Sequence, residues 1–357
     1  MPSFTSSRIP KAGDLTLEQK LGQLLLLGFH GTRITDDHPV VTDIRDHYIG
    51  GVILYDYDTM RKSHGRNIVS PEQVKRLNTG LASCSEIPLL ISIDQEGGTV
   101  NRLKPEYGFP ATMSHKELGE KNDPALTLQH GREIAETVRT SGHNVNFAPC
   151  VDLGINKKNK AIFGRDRCFS DDPEVVALHA AAYIQGHREA GVLTALKHFP
   201  GHGSALDDTH LGMADVTKSW REYELWPYER ILEAGLCDMI MTTHVFNRNL
   251  DITYPATLSA NMITGMLRER LGFEGVVISD DLQMKAITSH FGQEAAMERA
   301  LMAGVDILVF GNNLEFDPGI SARFVRVVKN MLDHGVITMG RINASVERIL
   351  DLKKRLV

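Results

Sequence analysis

At 357 residues, 42% hydrophobic and 24% charged, the chain has the composition of a folded globular protein with length for one large domain or two ordinary ones. Its formal net charge of −6 and pI of about 6.2 speak against the basic footprint of a nucleic-acid binder. No apolar run reaches the about 18 residues of a membrane helix, and the opening MPSFTSSRIPKAGDL lacks the apolar stretch of a secretory signal, so a cytoplasmic protein off the membrane is expected.

Taken in order, Thr16-Leu-Glu-Gln19 resembles a capping box opening a short helix, and Leu24 to Phe29 (LLLLGF) reads as a buried strand. Residues 39–49 look helical and lead into a second strand at Gly51 to Tyr55. Ser70-Pro71-Glu72-Gln73 starts a helix with a serine N-cap and proline in the first turn. Leu89 to Asp94 is the third strand; a helix from Asp123-Pro124 to about Thr140 precedes the fourth, Asn144 to Asp152. Asp172-Pro173 starts a helix to about Ala190, and Leu193 to His198 is the fifth strand. Helices near 222–235, 259–270 and 293–303 precede strands at Asp238 to His244, Gly275 to Asp280 and Val305 to Phe310. Helices at about 321–334 and 340–356 close the chain.

Short apolar strands that alternate with helices imply parallel strands joined by crossovers. Eight such units suggest a (β/α)₈ barrel, with a doubly wound open sheet as the alternative. The polar residues favour the barrel. Strands end in Asp94-Gln-Glu96, Lys197-His198, His244, Asp280-Asp281 and Asn312-Asn313, and a barrel gathers its C-terminal strand ends on one face. No linker or repeat divides residues 1–357, so a single domain is expected. Four cysteines (Cys84, Cys150, Cys168, Cys237) form no CxxC pair and read as reduced thiols.

The densest chemistry lies in LKHFPGHGSALDDTHLG, residues 196–212. Lys197 and His198 end a strand and offer donors for sugar hydroxyls, a phosphate or a carboxylate. His202, between two glycines, is expected to brace the loop. Asp208 and His210 are two apart, a spacing at which a carboxylate can fix an imidazole's tautomer and favour its protonated form. An Asx-turn beside an incidental histidine is the bland alternative. Asp280 and Asp281 cannot point the same way while the strand stays extended, so one faces the barrel mouth and the other supports the loop or caps a helix near Met284. Asp94 with Arg102 pairs an acceptor with a fork of donors; Arg167 fits either a site or a surface ion pair. Met284 and His244 either line the pocket or pack beneath it.

Together these segments resemble glycoside hydrolase family 3, in its single-domain bacterial β-N-acetylglucosaminidase branch. The resemblance is carried by IDQEGG at 93–98 with Val100 and Arg102, NFAPCVDL at 146–153, KHFPGHG at 197–203, Asp208-Thr209-His210, PATLS at 255–259 and LGFEGVVISDDLQM at 271–284. It implies Asp280 as nucleophile, His210 as general acid/base with Asp208 as its partner, and Asp94, Arg102, Arg167, Lys197 and His198 as the residues that bind the non-reducing-end sugar. A histidine in place of one carboxylate departs from the usual glycosidase pair. Thr99 stands where the branch often has arginine, Ser204-Ala205 replace its usual Asp-Thr, and the segment at Arg167 reads GRDR.

The expected function is a retaining exo-β-N-acetylglucosaminidase without metal or cofactor, acting on a GlcNAc-containing oligosaccharide or muropeptide, plausible in peptidoglycan recycling. Rival readings are a phosphorylase or β-glucosidase of the same family, a substrate-assisted hexosaminidase, a metal-dependent barrel hydrolase using His198, His202, His210, Asp208 and Asp280, and a non-catalytic sugar-binding protein.

Overall fold

A computed structural model describes residues 9–206, 209 and 212–357. Eight parallel strands close into a barrel: β1 (Leu25–Gly28), β2 (Gly51–Ile53), β3 (Leu90–Ile93), β4 (Val145–Asn146), β5 (Leu193–Phe199), β6 (Met239–Thr242), β7 (Val276–Asp281) and β8 (Ile307–Phe310). Each pairs with its neighbours in sequence, and β1 pairs with β8 in the register Leu25 to Leu308, Leu26 to Val309 and Leu27 to Phe310. That last ladder rules out an open sheet. Strands covered on both faces must be apolar throughout, which is why they read as unbroken runs such as LLLG and ILVF. At the seam, Gly28 lies so close to the Gly311 backbone that any side chain would collide with it. No helix among the described residues is long and apolar enough to cross a membrane.

All eight expected strands are present; most are trimmed, while the fifth and seventh each run one residue further, to Phe199 and Asp281. The fourth shrinks most, from 144–152 to Val145–Asn146. Pro149 has no N–H for the ladder, and pairing resumes only as a single bridge between Cys150 and Lys197. Elements that were not expected include a small hairpin pairing Tyr57–Asp58 with Ser63–His64 and a helix at His115–Lys121; the helix weighed near Met284 is a single turn, Lys285–Thr288.

The two barrel ends differ in kind. At the strand starts, two buried aspartates work structurally. Asp238 accepts from the Thr194 amide (3.0 Å) and pairs with Arg188 (3.2 Å) and Arg355 (2.5 Å). Asp306 accepts from the Val277 amide (2.9 Å) and pairs with Arg268 (2.6 Å) and Arg348 (3.1 Å). Through Arg348 and Arg355 the two aspartates fasten the C-terminal helix, Met339–Lys353, and the chain just after it beneath the barrel. The strand ends hold the reactive groups.

Candidate active site

Asp94 and Glu96 follow β3. Being two apart, they share a side of the chain. The loop they open is folded back by Gln95, whose Oε1 accepts from the Arg102 and Leu103 amides (2.9 and 3.0 Å). Gln95 is itself pinned, its amide donating to Asn146 Oδ1 and its carbonyl accepting from Tyr183 Oη, both at 2.9 Å. The fold-back brings Arg102 Nη2 to 3.6 Å from Asp94 Oδ2, the acceptor-and-fork pairing expected.

Lys197 and His198 are adjacent, yet both side chains reach the site. The β5–β6 register slips between Lys197 and Phe199, so His198 occupies a bulge that re-aims its side chain. Lys197 Nζ donates to Asp94 Oδ1 (2.8 Å) and pairs with Glu96 Oε1 (2.7 Å). Arg167, on the long loop after β4, grips Glu96 with two parallel bonds, Nε to Oε2 (2.9 Å) and Nη2 to Oε1 (2.7 Å). The same Nη2 lies 3.0 Å from His198 Nε2, and His198 Nδ1 lies 2.6 Å from Asp152 Oδ2. The Arg167 backbone is held by His115, whose Nδ1 is 3.0 Å from its carbonyl; the unexpected helix at 115–121 thus serves the site. Arg167 is no surface ion pair.

Burial alone would raise the Glu96 carboxyl, but Arg167 and Lys197 override it and hold the group well below the usual carboxylate range. Asp94 is likewise lowered against burial, by Lys197 and Arg102. Lys197 is pushed down by burial yet ends raised, because Asp94 and Glu96 face it. The result is a compact alternation of fixed charges. Arg102, Lys197 and Arg167 present donors, and Asp94 and Glu96 orient them. Such a lattice suits polyhydroxylated ligands, since every group is already placed and none needs reordering.

Asp280, the penultimate residue of β7, lies on the same rim and is partly exposed, with its Oδ1 accepting from the Asp281 amide at 2.8 Å. Asp281 takes the supporting role: its Oδ1 accepts from the Gln283 and Gly311 amides (3.0 and 3.1 Å). Its carbonyl lies 3.0 Å from His244 Nε2, and His244 is buried. Met284 is buried as well. Asp208 and His210 lie outside the described residues. Thr209 between them is buried, and its carbonyl accepts from the Ala286 amide (3.3 Å), a few residues past Asp280.

Glu96, named only among the polar strand ends, and Asp152 are residues of this cluster to which the sequence patterns gave no role. Both stood at strand ends, the criterion that marked Asp94 and Asp280. His202 is buried with its amide donating to Asp152 Oδ1 (2.7 Å), and burial lowers its pKa to about 4, so it braces the loop as a neutral ring. Among the described residues, Cys150, Asp152 and His198 put possible metal-ligand atoms within 4.8 Å of one another. Their chemistry is poor for a cation. Asp152 is engaged by His198 and His202, burial and Asp152 push the Cys150 thiol well up, and the Arg167 guanidinium sits on His198's other nitrogen.

Residues 16–352 match the glycosyl hydrolase family 3 N terminal domain. The chain belongs to glycosyl hydrolase family 3. It is thus a glycoside hydrolase, with the family's barrel. Its relatives include the β-hexosaminidase of Xylella fastidiosa (strain M23), 38% identical over 293 residues that cover 80% of this chain and 82% of that protein. β-Hexosaminidase A of Pseudoalteromonas piscicida is 31% identical across 99% of this chain, which spans 62% of that longer protein. Among solved structures, a family 3 β-N-acetylglucosaminidase from a Paenibacillus species superposes with a TM-score of 0.87 at 34% identity, over 96% of this chain and 62% of that one. The β-N-acetylhexosaminidase of Beutenbergia cavernae superposes at 0.84 and 27% identity, over 95% and 99% of the two chains.

Proposed function

We propose that this family 3 hydrolase is a retaining exo-β-N-acetylglucosaminidase that removes a terminal non-reducing GlcNAc. β-Hexosaminidase is the name its relatives carry. The observation that supports the reading best is the lattice of Asp94, Glu96, Arg102, Arg167, Lys197 and His198, closed around the same rim that carries Asp280. That lattice offers a sugar's hydroxyls fixed donors and acceptors, and Asp280 is the carboxylate assigned to the anomeric centre.

In the proposed reaction Asp280 attacks the anomeric carbon while His210, paired with Asp208, protonates the departing oxygen. A covalent glycosyl-enzyme forms on Asp280. His210 then takes a proton from water, which attacks the same carbon and releases GlcNAc with retained configuration. The step uses no metal. The proposed setting is the cytoplasm, with GlcNAc-anhydro-muramyl peptides from cell-wall recycling as substrate.

The test is Asp280→Ala on an aryl β-N-acetylglucosaminide. Turnover should fall at least about a thousandfold while the circular dichroism spectrum is unchanged. A 2-fluoro glycosyl fluoride of the same sugar should label Asp280 in the parent protein, as read by peptide mapping. Near-normal turnover in the variant, or a label elsewhere, would discard the assignment. Sugar 1-phosphate in place of free GlcNAc when phosphate is present would replace hydrolysis with phosphorolysis.

A further inference from the structure

We propose that Asp152 is a positioning residue that sets two parts of the active site at once: the His198–Arg167 pair of the sugar-binding lattice, and the root of the loop that leads to Asp208-Thr209-His210. The second half rests on His210 being the acid/base.

Asp152 is almost wholly buried and divides its two oxygens between these tasks. Oδ2 lies 2.6 Å from His198 Nδ1. At the other edge of the ring, Arg167 Nη2 lies 3.0 Å from Nε2. A guanidinium has only donors, so Nε2 accepts and Nδ1 carries the proton. One tautomer satisfies both neighbours, and with it the ring becomes a fixed strut between Asp152 and Arg167. Arg167 in turn is fixed on Glu96.

Oδ1 works on the backbone. It accepts from the His202 amide (2.7 Å) and, at 3.4 Å, from the His198 amide. The segment after β5 is clamped on every side. Trp220 Nε1 donates to the Pro200 carbonyl (3.0 Å), Asn159 Nδ2 to the His202 carbonyl (2.8 Å) and Asn156 Nδ2 to the Ala205 carbonyl (2.8 Å). Gly203 sits so close to the Leu153 backbone that a side chain there would collide. Of these clamps, Asp152 is the one whose side chain also holds a lattice residue. Beyond the root, Thr209 is held against Ala286. An error at His202 therefore disturbs the clamped segment through Ala205, from which the chain continues to the proposed acid/base, and about 1 Å of misplacement at a reacting group can cost a hundredfold in rate.

An amide cannot do both jobs. If the oxygen of an asparagine met the His202 amide, its NH₂ would face the proton on His198 Nδ1. Moving that proton to Nε2 would set it against Arg167. If the oxygen met His198 instead, the NH₂ would face the His202 N–H. Either way, donor meets donor in a buried place.

The experiment compares the parent protein with Asp152→Asn on phenyl and dinitrophenyl β-N-acetylglucosaminides. The phenyl leaving group needs a proton in the bond-breaking step, and the dinitrophenyl group does not. Binding of a GlcNAc-type competitive inhibitor and hydrogen exchange over residues 198–205 are measured alongside. In the variant, exchange over this segment should accelerate, inhibitor binding should weaken about tenfold, and kcat/KM should fall about tenfold more on the phenyl than on the dinitrophenyl substrate. A protein merely less stable would lose both substrates equally. Unchanged inhibitor binding with an unchanged substrate ratio overturns the proposal. Should Asp152→Asn not fold, nitrogen-15 NMR of His198 in the parent decides: a ring protonated on Nε2 alone overturns it, and one protonated on Nδ1 alone supports it. Should the parent cleave neither substrate, the acid/base reading fails by itself. The exchange data then judge Asp152, and protection of His202 unchanged by the substitution removes the positioning role.

Discussion

Glu96 shows how a residue can matter to a site without being the reacting group. It is buried, and two cations point at it: Arg167 through a bidentate pair and Lys197 at 2.7 Å. Removing one member of a buried ion cluster strands the others, a loss of about 3–5 kcal/mol in comparable cases. Glu96→Gln can still accept one hydrogen bond but cannot balance the charge. It should lower the free energy of urea unfolding by about that amount and raise KM for an aryl β-N-acetylglucosaminide, as Lys197 and Arg167 lose their aim. A variant as stable as its parent would show that the cluster does not depend on this carboxylate. Asp281 gives the converse lesson. It is the twin of Asp280 in sequence, but its side chain accepts from the Gln283 and Gly311 amides and so belongs to the loop.

At the scale of elements, the turn Glu222–Leu225 carries a carboxyl with an unusual setting. Glu224 is buried against Gly201 and accepts from the Ser204 and Arg221 amides (3.3 and 3.2 Å). Burial is the main cause that raises its pKa to about 7, from an ordinary 4.5. The folded state then binds more protons than the unfolded chain between these values. Stability contributed by the neutral carboxyl is complete below about pH 4.5 and falls as pH climbs to about 7, by roughly 3 kcal/mol. Glu224→Gln cannot ionise and should lack that decline. Urea unfolding of both proteins at about pH 5 and about pH 8 checks it, and parallel profiles would show that Glu224 is not the group responsible.

For the molecule as a whole, the balance at low pH runs the other way. Asp94 and Glu96 are held below their ordinary values against burial, by Lys197, Arg102 and Arg167. Asp152, against burial, is brought to about 2 mainly by His198. Depressed carboxylates stabilise the fold above their unfolded pKa values, and that stability is lost as pH falls through the folded ones. Acid unfolding is therefore expected between about pH 4.5 and about 2. These groups are buried, so added salt should shift the midpoint little. An acid titration followed by circular dichroism at low and high salt measures this; a strongly salt-dependent midpoint would assign the transition to surface charges instead.

Much of this protein was legible in one dimension. The eight strands announced themselves because a barrel strand is covered on both faces and must be apolar along its length. Asp94, Lys197, His198 and Asp280 stood out because charge at the end of such a run needs a reason. The helix at 115–121 had a signal too, since Ser114 and Glu117 form a capping box around its start. What periodicity could not supply was direction. Pro149 cut β4 short, the bulge at His198 turned neighbouring side chains to one site, and Gln95 folded Arg102 back onto Asp94. The bulge depends on pairing with a strand some forty residues on, and the other two on single side chains that break or fold the local backbone, none of which a strand or helix period records. The amino-acid order by itself determined the alternation of strands and helices and the placing of reactive groups at strand ends. Only closure of the barrel, by pairing β1 with β8, decided that these ends would meet and that Glu96 and Asp152 would hold the others in place, because a shared rim exists only once the sheet has joined itself.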